Sequence, residues 1–204
     1  MKTKEKEITF KNFEIATVKV AINGTSPLII HKFSEKAQKM IEDKQAKKAK
    51  GGREVRIPEE EYQAALYYFS DGSRYGFPAG GFKAAMIRAG KQLGYVMADL
   101  KGWFFVVPDE KETNLVEIIG EPKMRTDMVR IGMGTADVRY RPEFQEWGAI
   151  LTIEFNTHTI SAEQIFELVA LAGFSCGIGD WRPEKSATGN FGTWKPELLN
   201  ELRL

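Results

Sequence analysis

Gly177-Ile-Gly-Asp-Trp-Arg-Pro-Glu-Lys-Ser-Ala-Thr-Gly-Asn-Phe-Gly192 gathers four glycines, two cations and two aromatics in one loop. Glycine at Gly179 and its neighbours lets backbone approach a ligand closely. Arg182 and Lys185 suit phosphate, and Trp181 and Phe191 offer ring faces for bases. Immediately upstream, Ser161 and Gln164 stand at capping-box spacing, and Ile165, Leu168, Val169 and Ala172 recur on one helical face up to Gly173. Before that helix, Ala149, Leu151, Ile153 and Phe155 alternate, which predicts a core strand over Trp147 to Phe155. Strand, capped helix and glycine loop together predict a mixed α+β fold.

Further toward the amino terminus, Lys123 to Arg141 carries Lys123, Arg125, Arg130, Arg139 and Arg141 against Asp127 and Asp137, with Gly132 and Gly134 in the middle. We read it as an exposed β-hairpin, or finger, over about 123–145 with basic flanks. Trp103 to Val107 and Leu115 to Ile119 read as two short strands, expected to form a hairpin across the polar Pro108 to Asn114. Tyr75 to Gly90 enters a helix through glycines, with Phe82, Ala85, Met86, Ala89 and Leu93 at helical spacing. Lys83 flanks this apolar stripe and Arg88 points away from it. The amides of Gly80 and Gly81 start the helix, but the Gly-Lys-Ser/Thr ending of a Walker loop is missing.

Pro58 followed by Glu59, Glu60 and Glu61 starts a short helix, as the helix dipole favours. Lys32 to Arg56 holds nine cations against four anions, locally +5. Its members Lys36, Lys39, Lys44, Lys47, Lys48, Arg53 and Arg56 define a basic helical insert over about 32–60, either a solvated helix or a nucleic-acid arm. Ile8 to Ile30 alternates as a strand with a turn at Asn23-Gly24.

Composition bounds these readings. At 204 residues and 43% hydrophobic, the chain reads as one elaborated domain over 1–204. A formal net charge of +1 excludes a general polyelectrolyte, so any nucleic-acid contact must be local. The lone Cys176 excludes an internal disulfide and a thiol-based zinc site, and no spacing gathers oxygen ligands around an ion. We therefore expect no metal and no cofactor. The charged amino terminus and the lack of a long apolar run predict no signal peptide, no membrane partner and a cytoplasmic location.

Two segments together resemble the RAMP superfamily, ferredoxin-like proteins that form the crRNA-binding backbone and processing subunits of CRISPR systems. They are Phe77-Pro-Ala-Gly-Gly-Phe-Lys-Ala-Ala-Met-Ile-Arg88, similar to the family's entry to its first core helix, and the Gly177 to Gly192 loop, similar to its carboxy-terminal glycine-rich loop. Gly80-Gly81 stands where the family more often has serines. The whole chain also resembles a widespread group of phage-encoded proteins through Pro27-Leu28, Pro78 and Trp181-Arg-Pro-Glu-Lys185. The resemblance implies a ferredoxin-like antiparallel sheet with helices on one face, carrying the insert and the finger as projections. It also implies subunits stacked side by side, as an oligomer or filament, in host-cell cytoplasm.

The expected function is sequence-tolerant, non-catalytic binding of single-stranded DNA or RNA. The cations Lys36, Lys39, Lys44, Lys47, Lys48, Arg53, Arg56, Lys83, Arg88, Arg125, Arg130, Arg139, Arg141, Arg182 and Lys185 would meet phosphates, Gly179 would permit approach, and Trp181, Phe191 or Tyr140 would stack. No residue is assigned a catalytic role. The alternatives are an endoribonuclease of the RAMP type using His31 as general base, and a viral protein that engages host defence complexes. Asp180 is expected to pair with Arg182 or a neighbouring subunit.

Overall fold

Alternating apolar residues over Ile15–Gly24 (β1) and Gly148–Asn156 (β8) build the centre of the molecule. The computed structural model describes residues 13–33, 56–131 and 135–197. In β8, Ala149, Leu151, Ile153 and Phe155 are all buried, as their period of two requires. They pair antiparallel with β1, Val18 opposite Ile153 and Val20 opposite Leu151. Phe104–Val107 (β4) adds to the far side of β8, and Trp194–Glu197 (β9) adds to β1, giving a four-stranded sheet in the order β4-β8-β1-β9.

Two helices cover one face of this sheet. The segment Ala79–Gly90 (α2) buries Phe82, Ala85, Met86 and Ala89, and Ala162–Ser175 (α4) buries Ile165, Leu168, Val169 and Ala172. The capping box of α4 forms as read, with Ser161 accepting from the Gln164 amide and Gln164 accepting from the Ser161 amide. Taken as β1-α2-β4-β8-α4-β9, the core is a β-α-β-β-α-β unit in which each helix links two parallel strands separated by a third. That is ferredoxin-like topology, and the fold is α+β with antiparallel sheets.

The remaining elements hang from this core. Pro58–Ala64 (α1) packs on Thr135–Phe144 (β7), the second arm of a hairpin whose first arm is Pro122–Ile131 (β6). The short Leu28–Ile29 (β2) pairs with β7, making a three-stranded sheet, and Met97–Trp103 (α3) leads into β4. The expected hairpin between the strands near 103–107 and 115–119 does not form. Leu115–Glu117 (β5) pairs instead with Gly76–Pro78 (β3), while β4 pairs with β8. Leu93 falls in a 3-10 turn after α2 and is 41% exposed, so the apolar stripe of α2 ends at Ala89.

The finger read over 123–145 is the β6–β7 hairpin, paired from Pro122↔Phe144 to Ile131↔Thr135. Lys36, Lys39, Lys44, Lys47, Lys48 and Arg53 of the basic insert lie outside the described residues, as does the helix read there. Among the described residues no helix is long and apolar enough to cross a membrane.

Candidate nucleic-acid interface

The side chains of an antiparallel hairpin alternate between two faces, so Arg125, Asp127, Arg139 and Arg141, all odd-numbered, share one. Arg125 lies directly opposite Arg141, an arrangement that would repel by itself. Asp127 resolves it: its carboxylate accepts from Arg125 Nε at 2.8 Å and from Arg141 Nη2 at 2.6 Å. Arg125 also donates to Glu143 at 2.6 Å. Asp127 is 8% exposed and the Arg141 side chain 3%, so this ladder is an interior feature.

The glycine loop closes over the ladder. Gly179 has φ +76 and a side chain there would stand 2.3 Å from the Ile29 carbonyl oxygen, which is why the loop can lie directly against β2. The next residue, Asp180, donates its amide to that carbonyl at 2.9 Å and accepts from Arg141 Nη1 at 2.8 Å. His31 Nδ1 lies 3.5 Å from the same carboxylate. Asp180 thus joins β2, β7 and the loop. Burial pushes its carboxyl up, but hydrogen bonds from His31 and Arg141, with their charges, outweigh that and hold it below its ordinary value. The expected pairing with Arg182 gives way to this: Arg182 Nε takes Glu184 at 3.1 Å and its Nη1 takes the Gly179 carbonyl at 2.8 Å.

Trp181 follows with φ +51, a left-handed conformation that costs an L residue about 1–2 kcal/mol. The strain places its ring 4.4 Å from the Arg141 guanidinium, 5.3 Å from that of Arg125 and 5.9 Å from the Phe191 ring. Phe191 in turn lies 5.1 Å from Arg125. Both rings remain half-buried, one side on the arginine ladder.

Between hairpin and loop opens a cleft of about 420 Å³, lined by Val129, Arg139, Arg141, Gly179, Asp180, Trp181, Arg182, Lys185 and Ser186. Four cations face one carboxylate there. Arg139 approaches Asp137 only to 3.8 Å, and Lys185 is exposed with no carboxylate in reach among the described residues. Arg141 Nε has no hydrogen-bond partner among them either. An unsatisfied buried donor costs about 1–3 kcal/mol.

The structure therefore gathers Arg139, Arg141, Gly179, Trp181, Arg182 and Lys185 around one cleft and sets Arg125 and Phe191 beside it. It places the other candidates elsewhere. Arg141 is a buried strut, because two carboxylates hold it, and is no exposed clamp. Arg56 donates to Glu61 and Asp137, both at 2.5 Å, tying α1 to β7; the Glu61 hydrogen bond foremost keeps its guanidinium charged despite some burial. Arg88 is 2.9 Å from Glu184, bracing the loop against α2. Lys83 donates to the Lys101 carbonyl at 2.8 Å and lies 3.7 Å from the Phe105 ring, away from the cleft, with burial pulling its pKa down. Tyr140 packs against the core. Arg130 has its backbone in β6.

Sequence reasoning counted Asp127 only as charge against the basic finger and did not see it as the hinge of the ladder. The signal was available in the odd-numbered spacing of Arg125, Asp127, Arg139 and Arg141 on two facing strands.

No family model and no curated protein matches this chain. Two solved structures are similar in backbone course. The crystal structure of Cmr6 from Pyrococcus furiosus aligns at 11% identity over 90% of this chain and 98% of that one, with a TM-score of 0.44. A chain of a CRISPR RNA-guided surveillance complex aligns at 12% identity over 88% of this chain and 67% of that one, with a TM-score of 0.36. Both alignments run over most of this chain. The ferredoxin-like topology rests on the strand pairing described above.

Proposed function

We propose that the protein is a non-catalytic, sequence-tolerant binder of single-stranded nucleic acid that assembles side by side with copies of itself. One observation carries this reading: Arg139, Arg182 and Lys185 ring a cleft floored by Arg141 and flanked by the Trp181–Phe191 pair. Cations gathered there neutralise the strand's phosphate charge, and ring faces accept any base. Side-by-side assembly and a phage origin belong to the proposal through the sequence resemblance.

The test is fluorescence anisotropy of labelled dT20 and rU20 over a salt series without divalent ions. Log K should fall linearly with log salt, by roughly 0.7 for each phosphate neutralised on a single strand. Intact oligonucleotide must be recovered. Electron micrographs with and without a long single strand test the assembly. No binding of either polymer at low salt would sink the proposal.

The His31–Asp180 contact favours a second reading, cleavage of RNA with His31 as general base, because the carboxylate orients the ring. Strand scission abolished by His31→Ala would select it over the first.

A further inference from the structure

The floor of the cleft holds a charged group whose hydrogen bonding is incomplete. Arg141 has a side chain 3% exposed, its two Nη groups are taken by Asp127 and Asp180, and its Nε–H has no acceptor among the described residues. Buried donors are nearly always satisfied, and this one, covered in the free protein, belongs to a residue that lines the cleft, so an acceptor entering the cleft is the partner it lacks. The rim states the charge of that acceptor. Arg141 is already neutralised by its two carboxylates, whereas Arg139 has only a distant one, Lys185 has none in reach among the described residues, and one Nη of Arg182 is uncommitted. The donors converge from β7 and from two points along the loop. A carboxylate offers two oxygens in one plane, but a phosphate offers oxygens in diverging directions and meets such a set better.

We infer that the cleft is a phosphate subsite in which one phosphate oxygen accepts the Arg141 Nε–H and the remaining oxygens face Arg139, Arg182 and Lys185. The inference rests on the strand-binding reading above and says where the strand is held: at one desolvated phosphate, with Trp181 beside it for the adjoining base. Contacts elsewhere are then interchangeable, while this one sets the register of the strand on each subunit.

The experiment follows arginine Nε–H resonances of the full-length, 15N-labelled protein. Through-bond correlation assigns Arg141, and its disappearance in Arg141→Lys confirms the assignment if that variant folds. The protein is titrated with inorganic phosphate, with dT12 bearing a 5′-hydroxyl and with dT12 bearing a 5′-phosphate, anisotropy being read in parallel. The expected result is an Arg141 Nε–H shift that saturates with oligonucleotide binding, and a several-fold weaker apparent affinity in Arg139→Gln and in Lys185→Gln. A shift with the 5′-hydroxyl oligomer assigns a backbone phosphodiester, and a shift with only the 5′-phosphorylated one assigns a terminal phosphate; either upholds the subsite. Oligonucleotide binding with an unmoved Arg141 resonance overturns the subsite and leaves the strand-binding reading in place. A shift with inorganic phosphate and no oligonucleotide binding does the reverse.

Discussion

Replacing Asp127 by alanine removes the carboxylate shared by Arg125 and Arg141 and tests whether the ladder is an interior ion network. Asp127 is 8% exposed and its two hydrogen bonds are 2.8 and 2.6 Å long. Breaking a buried pair by deleting one member costs about 3–5 kcal/mol, chiefly because the survivor stays desolvated. Here Arg125 keeps Glu143 and Arg141 keeps Asp180, so we expect the lower end, about 3 kcal/mol. At a urea m-value of about 2 kcal/mol/M, the unfolding midpoint should fall by about 1.5 M. Asp127→Ala combined with Arg141→Met and Asp180→Asn removes the arginine together with both of its carboxylates and should recover part of that loss, since an apolar replacement of a buried ion group is often near neutral. Chemical denaturation followed by circular dichroism reads both variants. A midpoint shift below about 0.3 M for Asp127→Ala, or a triple variant less stable than the single, would refute the network as described.

Trp181→Ala keeps the left-handed strain, which any L residue bears, and loses the ring contacts with Arg141 and Phe191, so the midpoint should fall modestly, while single-strand affinity falls by the worth of one stacked base, about 1–3 kcal/mol by anisotropy. Gly80→Ala meets no atom within 4 Å near the start of α2 and should stabilise by about 0.5–1 kcal/mol, whereas Gly192→Ala, with φ +65 and the Ile178 carbonyl oxygen 1.9 Å away, should destabilise severely in the same melts. Because the folded carboxyl of Asp180 lies below its unfolded value, its contribution is present above about pH 4 and is lost as pH falls through the depressed value. Asp180→Asn should therefore flatten the acid limb of a Tm-versus-pH curve below about pH 4, and an unchanged limb would reject the assignment. Burial raises the Cys176 thiol, so it should react with a disulfide reagent only on unfolding.

Where burial is one-sided, sequence and structure agree closely. The alternation of Ala149, Leu151, Ile153 and Phe155 and the Ser161–Gln164 box each encode a local fact, and both survive folding unchanged. The hairpin was legible to within a few residues, because its basic arms flank Gly132 and Gly134 in the sequence. Pairing was less accessible. Phe104 to Val107 and Leu115 to Glu117 read correctly as strands, but their partners lie far along the chain, and alternation names a face without naming a neighbour. The site divided the same way. Arg182, Lys185, Trp181 and Phe191 announced themselves by type, whereas Arg141 and Arg125 looked like surface cations until the register set Asp127 between them. Net charge hides such pairs, since a ladder of alternating ions and a solvated basic patch sum alike.

The chain leaves for the β6–β7 hairpin after Ile119 and returns to the four-stranded sheet at Gly148, and these two residues exchange backbone hydrogen bonds of 2.9 and 3.0 Å. Beyond that doorway the chain makes an excursion that the four-stranded sheet does not need for its own registry. Lengthening such an excursion costs little, because closure entropy grows only with the logarithm of its length. The core is thus a chassis and the hairpin a fitted tool: residues toward its tip, beyond the buried Asp127–Arg141 contact, are free to diverge in length and chemistry, while the base of the tool stays bolted to β2 and the glycine loop.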